Sequence, residues 1–86
     1  MYLIKYINDS EICYDITTKD KTKCLNTTVN TIEDAFYYYK RDGLEYTIGV
    51  LSVSYDEASF DYIILLEFHH NQSFEDIKKD YPELFI

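Results

Sequence analysis

Apolar residues recur at every second position in three segments of this chain, and this alternation constrains the fold more than any other feature. The segments span residues 2–7, 12–16 and 60–69. Because successive side chains of a β-strand point to opposite faces, a period of two predicts half-buried strands. A further run typical of a strand, residues 46–55, precedes the third segment.

Short polar segments separate these strands and predict two hairpins. Asn8-Asp9-Ser10 lies between the first two strands, and Asp56-Glu57-Ala58-Ser59 lies between the last two. Residues 23–29 predict a third, weaker strand. The middle of the 60–69 segment is apolar on both sides, which is typical of a strand at the centre of a sheet.

Two segments carry the start and stop signals of helices. Thr31 can cap a helix over residues 32–42, whose apolar residues follow a period of 3.6, and Gly43 ends it. Ser73 can cap a second helix over residues 74–81 in the same way. The chain therefore alternates between sheet-forming and helix-forming segments.

The element order is ββ(β)αββα, which predicts an α+β fold in a single domain spanning residues 1–86. We expect a mainly antiparallel sheet of four or five strands with the two helices packed on it. Of the 86 residues, 47% are apolar, and ten Tyr and five Phe supply bulk for one core. The predicted core consists of Ile4, Ile12, Tyr14, Ile32, Phe36, Tyr39, Ile48, Val50, Tyr62, Ile64, Leu66 and Ile77.

The chain carries a net charge of −8, and this charge is unevenly distributed. Residues 1–23 hold four acidic and four basic residues, whereas residues 24–86 hold twelve acidic and four basic ones. Affinity for phosphates comes mainly from Lys and Arg, so this balance argues against direct binding to nucleic acid or to an anionic membrane surface. An acidic surface instead attracts a basic protein surface and accelerates encounter with it.

The sequence predicts a cytoplasmic protein. Its longest uncharged apolar run, residues 62–66, is far shorter than the about 20 residues that span a bilayer. The N-terminal residues lack the basic start, apolar centre and small-residue cleavage site of a signal peptide. If a phage encodes the chain, the expected compartment is the cytoplasm of its host.

No motif predicts catalysis, a cofactor or a metal ion. Cys13 and Cys24 lack the spacing of metal ligands, and although a disulfide between them is geometrically conceivable, free thiols are expected in the cytoplasm. His69 and His70 are adjacent on a predicted strand and point to opposite faces, so we expect one to be packed and the other solvated. We therefore predict that the protein is not an enzyme.

Three pairs of adjacent acids and two tyrosines are the candidate partner-binding residues. The acid pairs could imitate the phosphates of a duplex, or they could simply be helix-start charges and a polar turn. Surface tyrosines bury much area at small entropic cost, so those beside the core stripe of the first helix are candidate anchors. The predicted partner-binding residues are Glu33, Asp34, Tyr37, Tyr38, Asp56, Glu57, Glu75 and Asp76.

In size and charge alone, the chain is similar to the small acidic inhibitors that phages and mobile elements make against host nucleases, including anti-CRISPR and anti-restriction proteins. This resemblance implies a non-catalytic, stoichiometric inhibitor whose partner is a basic protein surface, such as that of a nuclease. Two alternatives stay open. One is an immunity protein that neutralises a toxin nuclease, and the other is a structural subunit that assembles, for example as a homodimer, through strand edges or its apolar C-terminal tail, Leu84-Phe85-Ile86.

Overall fold

Antiparallel strands form one sheet in the part of the chain that the structure describes. This computed structural model describes residues 1–20, 22–47 and 63–86. Within them the sheet has five strands in the order β4-β3-β2-β1-β5. The strands are β1 (Tyr2–Asn8), β2 (Glu11–Thr17), β3 (Lys23–Cys24), β4 (Tyr46–Thr47) and β5 (Ile63–Glu67).

Two α-helices in the described residues complete the predicted element order. They are α1 (Ile32–Asp42) and α2 (Phe74–Asp80), and a short 3-10 helix, Pro82–Phe85, follows. Helix α1 has the predicted bounds, and α2 ends one residue earlier than predicted. The α+β fold with a mainly antiparallel sheet and two helices is confirmed.

The helix boundaries follow from local hydrogen bonds. The Thr31 hydroxyl accepts a hydrogen bond from the backbone N–H of Asp34 at 3.0 Å, which satisfies one of the free donors of the first turn. Gly43 ends α1 with a φ of 73°, and its N–H donates to the Tyr39 carbonyl. A positive φ is strained for residues with a Cβ atom, so glycine suits this position.

The predicted first hairpin is confirmed. Strands β1 and β2 pair in register from Tyr2↔Thr17 to Asn8↔Glu11. The two residues between them, Asp9 and Ser10, both have positive φ. Two central residues of positive φ are typical of the type I′ turn, whose twist matches that of the flanking strands.

The described ends of the predicted second hairpin do not pair with each other. Strand β4 pairs with β3 through Cys24↔Tyr46, whereas β5 pairs with β1 through Leu3↔Leu66. The two strands therefore lie at opposite ends of the described sheet. The rest of the predicted hairpin, residues 48–62, lies outside the described residues.

The apolar composition of β5 predicts a central strand, but among the described residues β5 lies at one end of the sheet. It is the last strand of the described sheet, and Ile63 and Ile64 are 55% and 46% exposed. Of the predicted third strand, residues 23–29, only Lys23–Cys24 is a strand, and Val29 forms a single bridge with Tyr14.

Both helices lie on one face of the sheet and bury the main core there. The Phe36 ring lies 5.0 Å from that of Phe68 and 5.4 Å from that of Phe74, so α1, the end of β5 and α2 meet at Phe36. The buried residues of this core are Leu3, Ile16, Leu25, Val29, Ala35, Phe36, Tyr39, Leu66, Phe68 and Ile77.

The opposite face of the hairpin carries a second, smaller core. Ile4 pairs with Asp15 and Tyr6 with Cys13, and all four are buried. The Asp15 carboxylate accepts a hydrogen bond from the backbone N–H of Leu25 at 3.1 Å, which offsets part of the cost of burying it. Away from the hairpin turn, β1 and β2 therefore contribute buried residues to both faces of the sheet.

The predicted core is only partly correct. Ile12 is 47% exposed because it pairs with Ile7 beside the hairpin turn, where neither helix covers the sheet, and the exposed Ile64 is likewise no core residue. Tyr14 and Ile32 are half-buried and pack against the main core. The predicted core residues that are buried are Ile4, Phe36, Tyr39, Leu66 and Ile77, while Ile48, Val50 and Tyr62 lie outside the described residues.

Across residues 1–20, 22–47 and 63–86, no helix combines the length and the apolar character that crossing a bilayer requires.

Candidate partner-binding site

The four described acids of the predicted site lie in the first turns of the two helices. Glu33 and Asp34 begin α1, and Glu75 and Asp76 begin α2. All four are exposed. The third predicted pair, Asp56 and Glu57, lies outside the described residues.

One of these acids has a structural role. The Asp76 carboxylate accepts a hydrogen bond from the Ser73 backbone N–H at 3.3 Å, and the Asp76 N–H donates to the Ser73 hydroxyl at 3.1 Å. This reciprocal pair is a capping box, which satisfies two free donors at the start of α2. The interpretation of Asp76 as a helix-start residue therefore accounts for its position.

An open groove of about 470 Å³ lies between α1 and α2. It brings together three of the predicted site residues, Glu33, Tyr37 and Glu75, but not Asp34, Tyr38 or Asp76. We call it the interhelix groove. Its lining residues are Glu33, Phe36, Tyr37, Lys40, Arg41, Phe74 and Glu75.

The two candidate tyrosines share one arginine but differ in burial, since Tyr37 is exposed and Tyr38 is half-buried against the main core. Tyr37 is 56% exposed, and its ring meets that of Tyr38 edge to face at 5.3 Å. The Arg41 guanidinium lies 5.4 Å from the Tyr37 ring centre and 4.8 Å from that of Tyr38. Cation–π contacts of this kind are individually weak at exposed sites, but they favour this arrangement of the two rings.

Sequence reasoning missed Arg41 as a member of this site. Its spacing from Tyr37 and Tyr38, four and three residues, is the helical spacing that brings side chains into contact and could have revealed it. Arg41 also donates two hydrogen bonds of 2.7 Å to the Asp42 carboxylate. This contact raises the pKa of Arg41 and lowers the pKa of Asp42.

The charges that line the interhelix groove differ in whether they have partners. Arg41 is paired with Asp42, and the Lys40 ammonium donates to the His70 carbonyl at 2.6 Å. Among the described residues, neither Glu33 nor Glu75 has an ion pair or a side-chain hydrogen bond. Both carboxylates are therefore available to a cationic ligand of this groove.

The C-terminal tail is packed rather than free. Leu84 and Phe85 are half-buried against the main core, and the Phe85 ring lies 5.2 Å from the Phe74 ring. Ile86 is fully exposed. A second open groove lies beside this tail, with Glu33 and Phe74 on the ridge between the two grooves.

The two thiols are free, buried and far apart. Cys24 pairs with Thr17, which is four residues from Cys13 on β2, a separation of about 13 Å at the usual rise of a strand. A disulfide requires Cα atoms within about 7 Å, so this pairing is incompatible with the sheet. Burial raises the pKa of the Cys24 thiol to about 12.

The histidine pair does not divide between core and solvent as predicted. His69 and His70 are both exposed, because β5 ends at Glu67 and the chain turns immediately after it. In the described part of the chain, His, Cys, Asp and Glu side chains form no group of three that could hold a metal ion.

Comparisons with family models, with curated proteins and with solved structures find no match to this chain.

Proposed function

We propose that this protein is a non-catalytic binding protein that inhibits a nucleic-acid-handling enzyme stoichiometrically, by covering a basic surface of that enzyme. The observation that carries the proposal is the surplus of eight acidic residues in 24–86. Four of these acids are exposed at the starts of the two helices, and two of them, Glu33 and Glu75, line the aromatic groove between the helices. Complementary charge of this kind steers association and selects partners.

The tyrosine surface supports the same proposal. Tyr and Arg are enriched among residues that dominate binding energies, and Tyr37, Tyr38 and Arg41 form one ordered group on α1. Because Asp42 neutralises Arg41, this group adds contact area without adding net positive charge. Asp56 and Glu57 remain contacts proposed from the sequence.

The resemblance in size and charge to anti-CRISPR and anti-restriction inhibitors suggests the enzyme class to test first. The protein is titrated against a panel of CRISPR effector nucleases and restriction endonucleases, and DNA cleavage is measured. We expect complete inhibition of one enzyme at one equivalent of protein, with no change to the DNA. Inhibition at far below one equivalent, or retention of the protein by DNA alone, would contradict the proposal.

The toxin-immunity alternative demands much the same acidic surface. A toxin nuclease in the same panel separates the two, because an immunity protein should inhibit the toxin and leave CRISPR and restriction enzymes active. A gene for a toxin nuclease next to the gene of this protein would favour this alternative.

Exposed isoleucines on β5 favour a second candidate function, an assembly subunit that forms a homodimer. Ile63 and Ile64 lie on the last strand of the described sheet, where a second copy could add its own strand. The C-terminal tail offers less apolar surface to a second copy, because Leu84 and Phe85 already pack against the main core. Sedimentation equilibrium across a wide concentration range tests this candidate, and a monomer throughout would eliminate it.

A further inference from the structure

The interhelix groove combines an aromatic floor with carboxylates from both helices. Phe36 is almost completely buried below it, and the half-buried Phe74 ring stands 5.4 Å away, tilted by 48°. Such a floor accepts an aromatic or large aliphatic side chain, since aromatic rings prefer tilted or offset contacts. Glu33 and Glu75 line the groove from different helices, so an occupant of the groove meets a glutamate from each helix.

The positive charges of the groove are held by the protein itself. Arg41 is bound by Asp42 and stacked on the two tyrosines, and Lys40 is bound by the His70 carbonyl. Glu33 lies seven residues before Lys40, which is about 10 Å along the helix axis. A cation near Glu33 therefore gains attraction from the carboxylates while it stays away from Lys40.

We propose that the interhelix groove binds a segment of the partner protein in which one aromatic or large aliphatic side chain is flanked by Lys or Arg. The apolar side chain packs against Phe74, above the buried Phe36, and the flanking cations pair with Glu33 and Glu75. Tyr37 forms the side wall. This inference rests on the proposed function, since it specifies the chemistry of the basic surface that the protein covers.

The test uses the full chain labelled with ¹⁵N and the peptide acetyl-Lys-Phe-Lys-amide as the probe. Amide shifts are followed in a titration, with acetyl-Glu-Phe-Glu-amide and acetyl-Lys-Ser-Lys-amide as controls for charge and for the aromatic ring. We expect saturable shifts at Glu33, Tyr37 and Glu75 with the first peptide and at least several-fold weaker binding of both controls. Equal binding of the three peptides, or shifts confined to other surfaces, would overturn the proposal.

A matched pair of variants sharpens the result. Glu33→Gln with Glu75→Gln removes both proposed partners, whereas Asp9→Asn with Glu11→Gln removes the same charge from exposed positions at the first hairpin. Exposed ion pairs are individually weak, so the first variant should bind the peptide about five-fold more weakly and the second should bind it unchanged. Equal affinities of the two variants would contradict the role of the glutamates.

The outcome for the groove is distinguishable from that for the proposed function. If the peptide fails to bind while the Glu33→Gln, Glu75→Gln variant inhibits its target enzyme as strongly as the original chain, the groove is not the docking site and the inhibitory function stands. If the peptide binds as expected and no enzyme of the panel is inhibited, the groove is a peptide site and the inhibitory function fails.

Discussion

Left-handed backbone at two consecutive non-glycine residues distinguishes the turn of the first hairpin. Asp9 has a φ of 50° and Ser10 a φ of 66°. Aspartate tolerates this conformation because its short side chain can form a hydrogen bond with the nearby backbone. Serine forms such hydrogen bonds more weakly, so they offset less of the steric repulsion between its Cβ and the backbone. The turn therefore carries local strain that its neighbours in the sheet must offset.

Replacing Ser10 with glycine should stabilise the protein. Glycine removes a strain of about 1–2 kcal/mol but loses part of this gain to the entropy of the unfolded chain, so we expect about 0.5–1 kcal/mol from denaturant unfolding. Asn26→Gly is the matched control, since Asn26 is exposed and is not among the described residues of positive φ. Equal effects of the two substitutions would show that the turn is unstrained.

The Cys24 thiol is buried on the second face of the sheet, and burial and the nearby Asp15 raise its pKa from 9.0 to about 12. Because the folded protein binds the thiol proton more tightly than the unfolded chain does, this group stabilises the fold at any pH below about 9, the pKa in the unfolded chain. The stabilisation is lost as the pH rises from about 9 to about 12, the pKa in the folded protein. We therefore expect the unfolding free energy to fall across this range, and to fall less steeply in Cys24→Ala. An identical slope in the two proteins would contradict the burial of this thiol.

At the scale of the elements, α1 connects the core to the candidate site. Ala35, Phe36 and Tyr39 of α1 are buried in the core, while Glu33 and Tyr37 lie beside Phe36 and line the interhelix groove. The position of the groove therefore depends on the packing of α1 against the sheet and against α2. Loss of core packing should displace the site as well as destabilise the fold.

Phe36→Ala should cost about 3–5 kcal/mol, because it removes a buried aromatic ring that contacts two other rings. This is a large part of the total stability of a small domain. Tyr37→Ala, one residue along the same helix, removes an exposed ring and should cost under about 1 kcal/mol. Denaturant unfolding measures both, and a loss under about 1 kcal/mol for Phe36→Ala would show that the packed face of α1 is misassigned.

The helices and the first hairpin could be predicted from the sequence because local interactions specify them. The hydroxyl of Thr31 and the positive φ of Gly43 fix the ends of α1 within a few residues of the chain. The neighbours of β4 and β5 in the sheet could not be predicted in this way. The two segments are compatible with a hairpin in sequence, and which strand each one pairs with depends on the packing of the whole sheet. The alternation in β2 predicts a strand with one buried face, whereas Asp15 and Ile16, which point to opposite faces, are both buried.

The candidate site was predicted in part, for a similar reason. Glu33 and Glu75 stood out as helix-start acids, and Tyr37 as a tyrosine outside the core stripe, but only the packing of α1 beside α2 brings them into one groove. The partners of Lys40 and Arg41, which decide which charges a ligand can reach, involve rotamers and a loop carbonyl that no sequence pattern specifies.

At the scale of the whole molecule, the negative charge is concentrated in one part of the chain, residues 24–86. The first hairpin and the loop after it, residues 1–23, are balanced in charge, whereas the surplus of eight acids belongs to residues 24–86, which include both helices. A field of this asymmetry orients the molecule as it approaches a basic partner. Helices α1 and α2 carry a net charge of only −1 each, because all four bases of residues 24–86 lie in them. We therefore expect the acid pairs at the starts of the helices, rather than the whole helical side, to face the enzyme.

The association rate between this protein and the enzyme that it inhibits, measured by stopped flow as salt rises, tests the acidic-surface account most directly. The Debye length falls from about 10 Å at 0.1 M to about 3 Å at 1 M, so steering predicts a steep fall in association rate and a smaller change in dissociation rate. Glu33→Gln with Glu75→Gln should reduce this salt dependence, and Asp9→Asn with Glu11→Gln should leave it intact. An association rate that is independent of salt, and the same in both variants, would contradict the account.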